Sequence, residues 1–164
     1  MPSLSGFPYY NQRDSQWDSL CSPSGYFEGY GCGVCCAAMI TEYIEGGTKD
    51  PSVMKQRGVF TTTNLETQWS NMSNMCAMSG NQNTNNLTAA LTTIRNQIAL
   101  SVPVLIKIFN SAWPHFVVAY GYSGSGTSAS QIYIKDPYGG YSTLGAAMNV
   151  WPTYEFCRKI MRTV

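Results

Sequence analysis

The sequence predicts an α+β fold, and three observations carry that expectation. The helical signals all lie before residue 100, the strand-like runs follow them, and the last two of those runs are joined by a short Ser/Gly loop. Helices ahead of sheet are the order of an α+β chain rather than of alternating βαβ units. A short connection also makes the two strands antiparallel.

Taken in order, residues 7–30 are rich in aromatic residues, Ser and Gly without helical period, and read as an extended arm and loops. From about 32 to 44 the apolar positions are nearly continuous, so a helix packed on several sides is expected, ended by Gly46-Gly47. Asp50 as N-cap, Pro51 in the first turn and Gly58 as stop mark a short second helix. Residues 61–86 carry Thr, Asn, Ser and Met with no clean period, and predict a long irregular excursion. Asn86 then caps an amphipathic helix whose stripe is Leu87, Ala90, Leu91, Ile94 and Ile98. Strands follow over 103–109, 115–122 and 131–136, with 123–128 as the connecting loop. The segment 137–164, with Tyr154, Phe156, Ile160 and Val164, fits a strand or a helix equally.

A chain of 164 residues is expected to form a single domain, 1–164, large enough to bury a core without staples. Charged residues are 12% of the chain, half of the usual share of about a quarter, and net charge is +1. The one local basic cluster, Arg158, Lys159 and Arg162, reads as a solvated face, so no nucleic-acid partner is expected. No segment approaches transmembrane length and Met1–Gly6 lacks a signal-peptide pattern, so membrane insertion is not expected. Action outside the producing cell would then need release or delivery, unless the chain is a trimmed mature form or one domain of a longer protein. Six cysteines fall below the density of a disulfide scaffold, and Cys21, Cys76 and Cys157 fit free or bridged states alike.

The chemistry concentrates on Cys32, which opens the buried helix at Gly31-Cys32-Gly33. Orphan backbone N–H groups and the positive end of the helix dipole favour a thiolate at that position. His115 is the only histidine and begins a strand after Pro114, while Asp136, followed by Pro137, ends another. A hairpin that starts at His115 and finishes at Asp136 brings these two side by side. Nucleophile, base and orienter therefore occur in the order Cys, His, Asp, an arrangement a thiol hydrolase uses. Separately, each has an ordinary explanation: a histidine beside apolar residues is commonly a core group, a helical cysteine packing, and Asp-Pro a turn opener. Their coincidence makes the catalytic reading the stronger one.

Tyr9-Tyr10-Asn11-Gln12-Arg13-Asp14-Ser15-Gln16-Trp17, then Gly31-Cys32-Gly33, Pro103-Val104-Leu105-Ile106, His115-Phe116-Val117-Val118 and Ile134-Lys135-Asp136-Pro137 resemble the papain-like cysteine peptidases related to the bacteriocin-leader-processing peptidases. The resemblance spans nearly the whole chain, with blanks over 61–86 and after 140. It implies a papain-like fold with N-terminal helices, the nucleophile at a helix N-terminus, and an antiparallel sheet carrying His and Asp. It further implies Cys32 as nucleophile, His115 as base, Asp136 as orienter and Gln12 as an oxyanion-hole donor, with Gln16 nearby as a rival for the last role. No attached transporter is expected, so leader cleavage during export is not implied. Val34, Cys35 and Cys36 replace the Pro and small hydroxyl residues usual after Cys-Gly, and Pro114 replaces the Gly usual before the histidine. These changes alter the pocket wall and make substrate preference less transferable than mechanism.

Three other readings compete. Cys32-Gly33-Val34-Cys35 is a Cys-x-x-Cys at a helix start, as in thioredoxin-like redox proteins, yet residues 21–31 lack the apolar strand such a centre follows. Zinc would need a second ligand pair that the sequence does not offer, so neither metal nor cofactor is expected. The early aromatic residues could instead line a binding module without activity, although such clusters are more often core and loop anchors. The function expected is a cysteine peptidase or amidohydrolase acting on a protein segment or a peptidoglycan cross-link, of phage lysin or antibacterial toxin type. The aromatic arm and 61–86 are expected to wall its cleft.

Overall fold

Residues 26–56 form three helices whose ends are set by local chemistry. α1 (Tyr26–Tyr30) runs into α2 (Cys32–Glu45), and α3 (Pro51–Gln56) follows. Asp50 caps α3 by accepting from Ser52 N and Val53 N, and Gly46, at φ 77°, ends α2, as the sequence predicts. The structure, a computed structural model, describes residues 2–162. Among the described residues no helix is long and apolar enough to cross a membrane.

The chain divides into two compact units. The first is built from Phe7–Met78 with Pro137–Gly139. Its core is α2, where every residue from Val34 to Ile40 is fully buried, which accounts for the near-continuous apolar run. The arm is not all extended, which corrects the expectation. Ser15–Leu20 is a 3-10 helix capped by Asp14, which accepts from Gln16 N, and α1 buries Phe27. Single anchors and an Asx cap stabilise turns too short to show a period.

The excursion after residue 60 is irregular as expected, apart from a 3-10 turn at Trp69–Asn71 and the short strand β1 (Cys76–Met78). Side chains of α2 and of the turn after α3 hold it. Thr41 Oγ1 donates to Met72 O at 3.2 Å, and Arg57 Nη1 donates to the same oxygen at 2.7 Å. Arg57 also forks onto Glu45 at 2.8 and 2.9 Å, and Ser73 Oγ donates to Glu45 at 2.6 Å. The Arg57 hydrogen bonds outweigh burial and hold the Glu45 carboxyl at about 2, below its usual 4.5. The pair's contribution is therefore complete above pH 4.5 and fades as the pH falls towards 2. Glu45→Gln is expected to cost roughly 1–3 kcal/mol near neutral pH. Urea unfolding should show that gap narrowed by about half at pH 3, and an equal gap at neutral pH and at pH 3 would refute the assignment.

The second unit joins Ser79–Asp136 to Gly140–Ile160 and the N-terminal residues up to Gly6. Its sheet contains β2 (Val104–Phe109), β3 (Pro114–Tyr122), β4 (Ile132–Lys135) and β5 (Thr153–Arg162), side by side in the order β5-β2-β3-β4 and all antiparallel. α4 (Leu87–Ala99) lies on β2 and β3 with Ala90, Leu91, Ile94 and Ile98 buried, and Asn86 caps it through Ala89 N. The segment after 137 is both of the things the sequence allowed, α5 (Leu144–Ala147) and then β5. The expected residue Val164 lies outside the described residues.

Ser3 bridges to Gly121, and a Cβ on Gly121 would sit 2.7 Å from Ser3 Cβ, so only glycine lets the N-terminal segment lie this close to β3. β2 and β3 are joined by a four-residue tip, Asn110–Trp113. Asn110 Oδ1 accepts from Ala112 N and Trp113 N at 2.9 and 2.7 Å, and its Nδ2 donates to Val150 O at 3.1 Å.

Candidate active site

Cys32 is the first residue of α2, half-buried, with Gly31 at the N-cap. Phe27 packs so closely behind Gly31 that a Cβ there would meet its ring at 2.7 Å, so glycine is what allows α1 to abut the helix that carries the thiol. The fourteen residues of α2 direct their dipole and unshared N–H groups at this end. Cys35 and Cys36 are fully buried. Burial pushes the Cys35 thiol well up, and the nearby Asp14 carboxylate adds to the effect. Of the Cys-x-x-Cys pair only Cys32 is partly exposed, and no disulfide links the described cysteines.

Gln12 and Gln16 are distinguished by the structure. Gln16 is exposed, its amide spent on Asp14 Oδ2 at 2.7 Å. Gln12 is 2% exposed; its Nε2 donates to Glu28 O at 2.7 Å and its backbone N to Pro137 O at 2.7 Å. That side-chain bond folds the arm back onto the helical turn four residues before Cys32, the return the sequence required. A primary amide has a second N–H, which remains for another acceptor. The Gln12 carbonyl Oε1 is buried and has no hydrogen-bond partner among the described residues.

His115 and Asp136 meet in the sheet unit. β3 pairs with β4 through Val118↔Lys135 and Ala119↔Ile134, with a bulge at Tyr120. Continued one step, that ladder sets Asp136 diagonal to His115 on one face, within reach of a long side chain. His115 Nε2 lies 2.7 Å from Asp136 Oδ1, with the residues 3% and 2% exposed. A carboxylate on Nε2 places the neutral ring's proton on that nitrogen.

Trp151, which nothing in the sequence singled out, stacks on the His115 ring with centroids 4.0 Å apart and planes 20° from parallel. Tyr141 meets Trp151 edge-on at 6.0 Å and 88°. The only sequence signal was a pair of aromatic residues in a segment of undecided structure. Contact between rings 36 positions apart is a tertiary event. Asn110 fastens the turn before Trp151 through Val150 O, so the β2–β3 tip helps fix the ring over the imidazole.

The structure thus brings His115 and Asp136 together in one unit, and puts Cys32 and Gln12 in the other, on a helix start and on the strand of arm tied to the turn before it. An N-terminal thiol on a helix and a carboxylate-bound imidazole are the parts of an activated sulfur nucleophile. No curated protein matches the chain. A family model described as the Peptidase_C39 like family matches residues 4–156. With nearly its whole length matched, the chain belongs to the Peptidase_C39 like family and is a relative of the papain-like cysteine peptidases.

Proposed function

We propose that the protein is a papain-like cysteine peptidase, one hydrolase domain over its length, in which Cys32, His115 and Asp136 work as one relay. The observation that carries this reading is the buried His115–Asp136 bond at 2.7 Å, because a sheet rarely buries an imidazole and a carboxylate against each other without a use for the pair. The Cys32 thiolate adds to the amide carbonyl carbon, and the oxyanion takes hydrogen bonds from Cys32 N–H and the second N–H of Gln12. The His115 imidazolium gives its proton from Nδ1 to the amine nitrogen, the C–N bond breaks, and a thioester remains on Cys32. Water then adds to the thioester, with Nδ1 taking its proton. The C–S bond breaks, the product leaves as a carboxylic acid that gives its proton to solvent, and the thiolate–imidazolium pair is restored.

The bond cut is proposed to lie in a protein segment or in the peptide cross-links of bacterial cell wall, the latter fitting a lysin or toxin role. Incubation with casein and with purified peptidoglycan, followed by mass spectrometry of new termini, separates the two. New termini in neither, from protein able to titrate a thiol-reactive probe, would refute the peptidase reading. A redox reading predicts instead that thiols change state with no new termini.

Trp151 is proposed as a positioning residue for the imidazole. Trp151→Ala is expected to lower kcat by about 10- to 100-fold, with Trp151→Phe, which keeps a stacking ring, recovering most of the loss. Equal losses in the two variants, with unchanged unfolding midpoints, would show that the stack does not orient His115.

A further inference from the structure

The tip of the β2–β3 hairpin carries a cavity that the proposed chemistry does not use. It has a volume of about 210 Å³ and lies within the sheet unit. Phe109, Trp113 and Pro114 supply apolar walls, and Lys107 and Glu155 supply charge. Register puts it behind the proposed base: Ile108 pairs with His115, whereas Phe109 pairs with Pro114 and Lys107 with Phe116. Side chains alternate along a strand, so Lys107, Phe109 and Pro114 share the face that His115 does not.

The walls are fixed by the fold. Trp113 is 54% exposed, yet its backbone is held on both sides: Asn110 Oδ1 accepts from Trp113 N at 2.7 Å, and Asn110 N donates to Trp113 O at 3.1 Å. An indole held out to solvent on a locked turn is a preformed contact surface. On β5, Phe156 stands opposite Lys107 and Tyr154 opposite Ile108, which leaves Glu155 as the extra residue of a bulge. Bulges re-aim side chains, and Glu155 Oε2 lies 2.9 Å from Lys107 Nζ. The Phe116 and Phe156 rings, with centroids 5.8 and 5.5 Å from Nζ, hold the ammonium further.

The balance of these groups selects the ligand. Among the described residues, Lys107 and Glu155 are the only charged ones that line the cavity, and they offset each other, so a neutral ligand is favoured. The pair still has hydrogen bonds to make, since an ammonium carries three donors and a carboxylate about four acceptor sites. A donor beside an acceptor matches an amide group, and the exposed indole matches a flat apolar face. The volume is below the roughly 300–1,000 Å³ of drug-sized pockets and suits one ring. We infer that this cavity binds one N-acetylated amino-sugar residue of a glycan. The C–H face of the sugar ring lies on the Trp113 indole, the acetamido carbonyl accepts from Lys107, and the acetamido N–H donates to Glu155. An apolar side chain would desolvate the ion pair without replacing its water. A peptide residue meets both demands only by bringing its main chain into the cavity with its side chain. Use of the cavity as a subsite for the glycan strand of cell wall rests on the peptidase reading; the binding itself does not.

The test is binding without turnover. Cys32→Ala protein labelled with ¹⁵N is titrated separately with tri-N-acetylchitotriose, with cellotriose, which lacks only the acetamido groups, and with N-acetyl-phenylalanine N-methylamide. The Trp113 indole resonance should move with chitotriose at millimolar concentration and stay in place with the other two. Trp113→Ala and Lys107→Met, followed through the Ala112 amide, should each weaken chitotriose binding by about five- to tenfold. No shift with chitotriose in protein whose spectrum is otherwise folded, an equal shift with cellotriose, or a shift with the phenylalanine probe alone would overturn the inference. Absence of hydrolysis on every substrate, with the chitotriose shift intact, would refute only the catalytic reading.

Discussion

Cys32→Ala is expected to lower amide hydrolysis by on the order of 10⁴-fold or more, with the unfolding midpoint scarcely moved. The side chain is half-buried at the first position of α2, so replacing the thiol with a methyl group removes the nucleophile without opening the core. Alanine is also the best helix former. The variant keeps its binding surface and is expected to retain substrate that the wild-type protein turns over. Cys35→Ser gives the matching control. Its thiol is fully buried and pushed up by that burial, so activity should persist within a factor of a few while some stability is lost. A redox protein would show the reverse pattern, with Cys35→Ser inactive. Hydrolysis that survives Cys32→Ala refutes the proposed nucleophile.

His115→Ala carries the second large effect. General acid–base catalysis contributes about 10²–10⁴-fold, and here the same imidazole is proposed to generate the thiolate and to protonate the leaving amine. The loss is therefore expected at the upper end of that range, and it should fall on kcat more than on KM. The Asp136 carboxylate, 2% exposed, also loses its imidazole partner at 2.7 Å, so a stability cost of roughly 1–3 kcal/mol should accompany the change. Variants of Asp136 separate orientation from charge. Asp136→Asn keeps an oxygen that can accept from Nε2–H and should retain much more activity than Asp136→Ala, which leaves that donor without its acceptor. Activity and urea unfolding measured on all three variants decide the matter. An active His115→Ala protein refutes the role of the histidine.

Where a feature depends on neighbours in the chain, the sequence was legible. Asp50 and Asn86 cap the helices they were expected to cap, and Gly46 ends α2, because each bond involves backbone groups within three or four residues. The buried stripe of α4 follows from the same short range. The antiparallel pairing of β3 with β4 was legible too, through the shortness of the connecting loop. The helices at 15–20 and 26–30 were not. Their residues carry no period, and it is the burial of Trp17 and Phe27 by distant side chains that holds them.

On its own, then, the sequence determined the boundaries of α2, α3 and α4 and the α+β order, and singled out the candidate reactive groups, all through periodicity, caps and residue chemistry that act over a few positions. Tertiary structure alone decided that 153–162 is a strand, because β2 offers it a ladder, and that Gln12 rather than Gln16 is buried against the turn before Cys32. It alone laid Trp151 over His115. Those outcomes are choices among partners far apart in the chain, and a residue selects such a partner only when the core has brought both to one place.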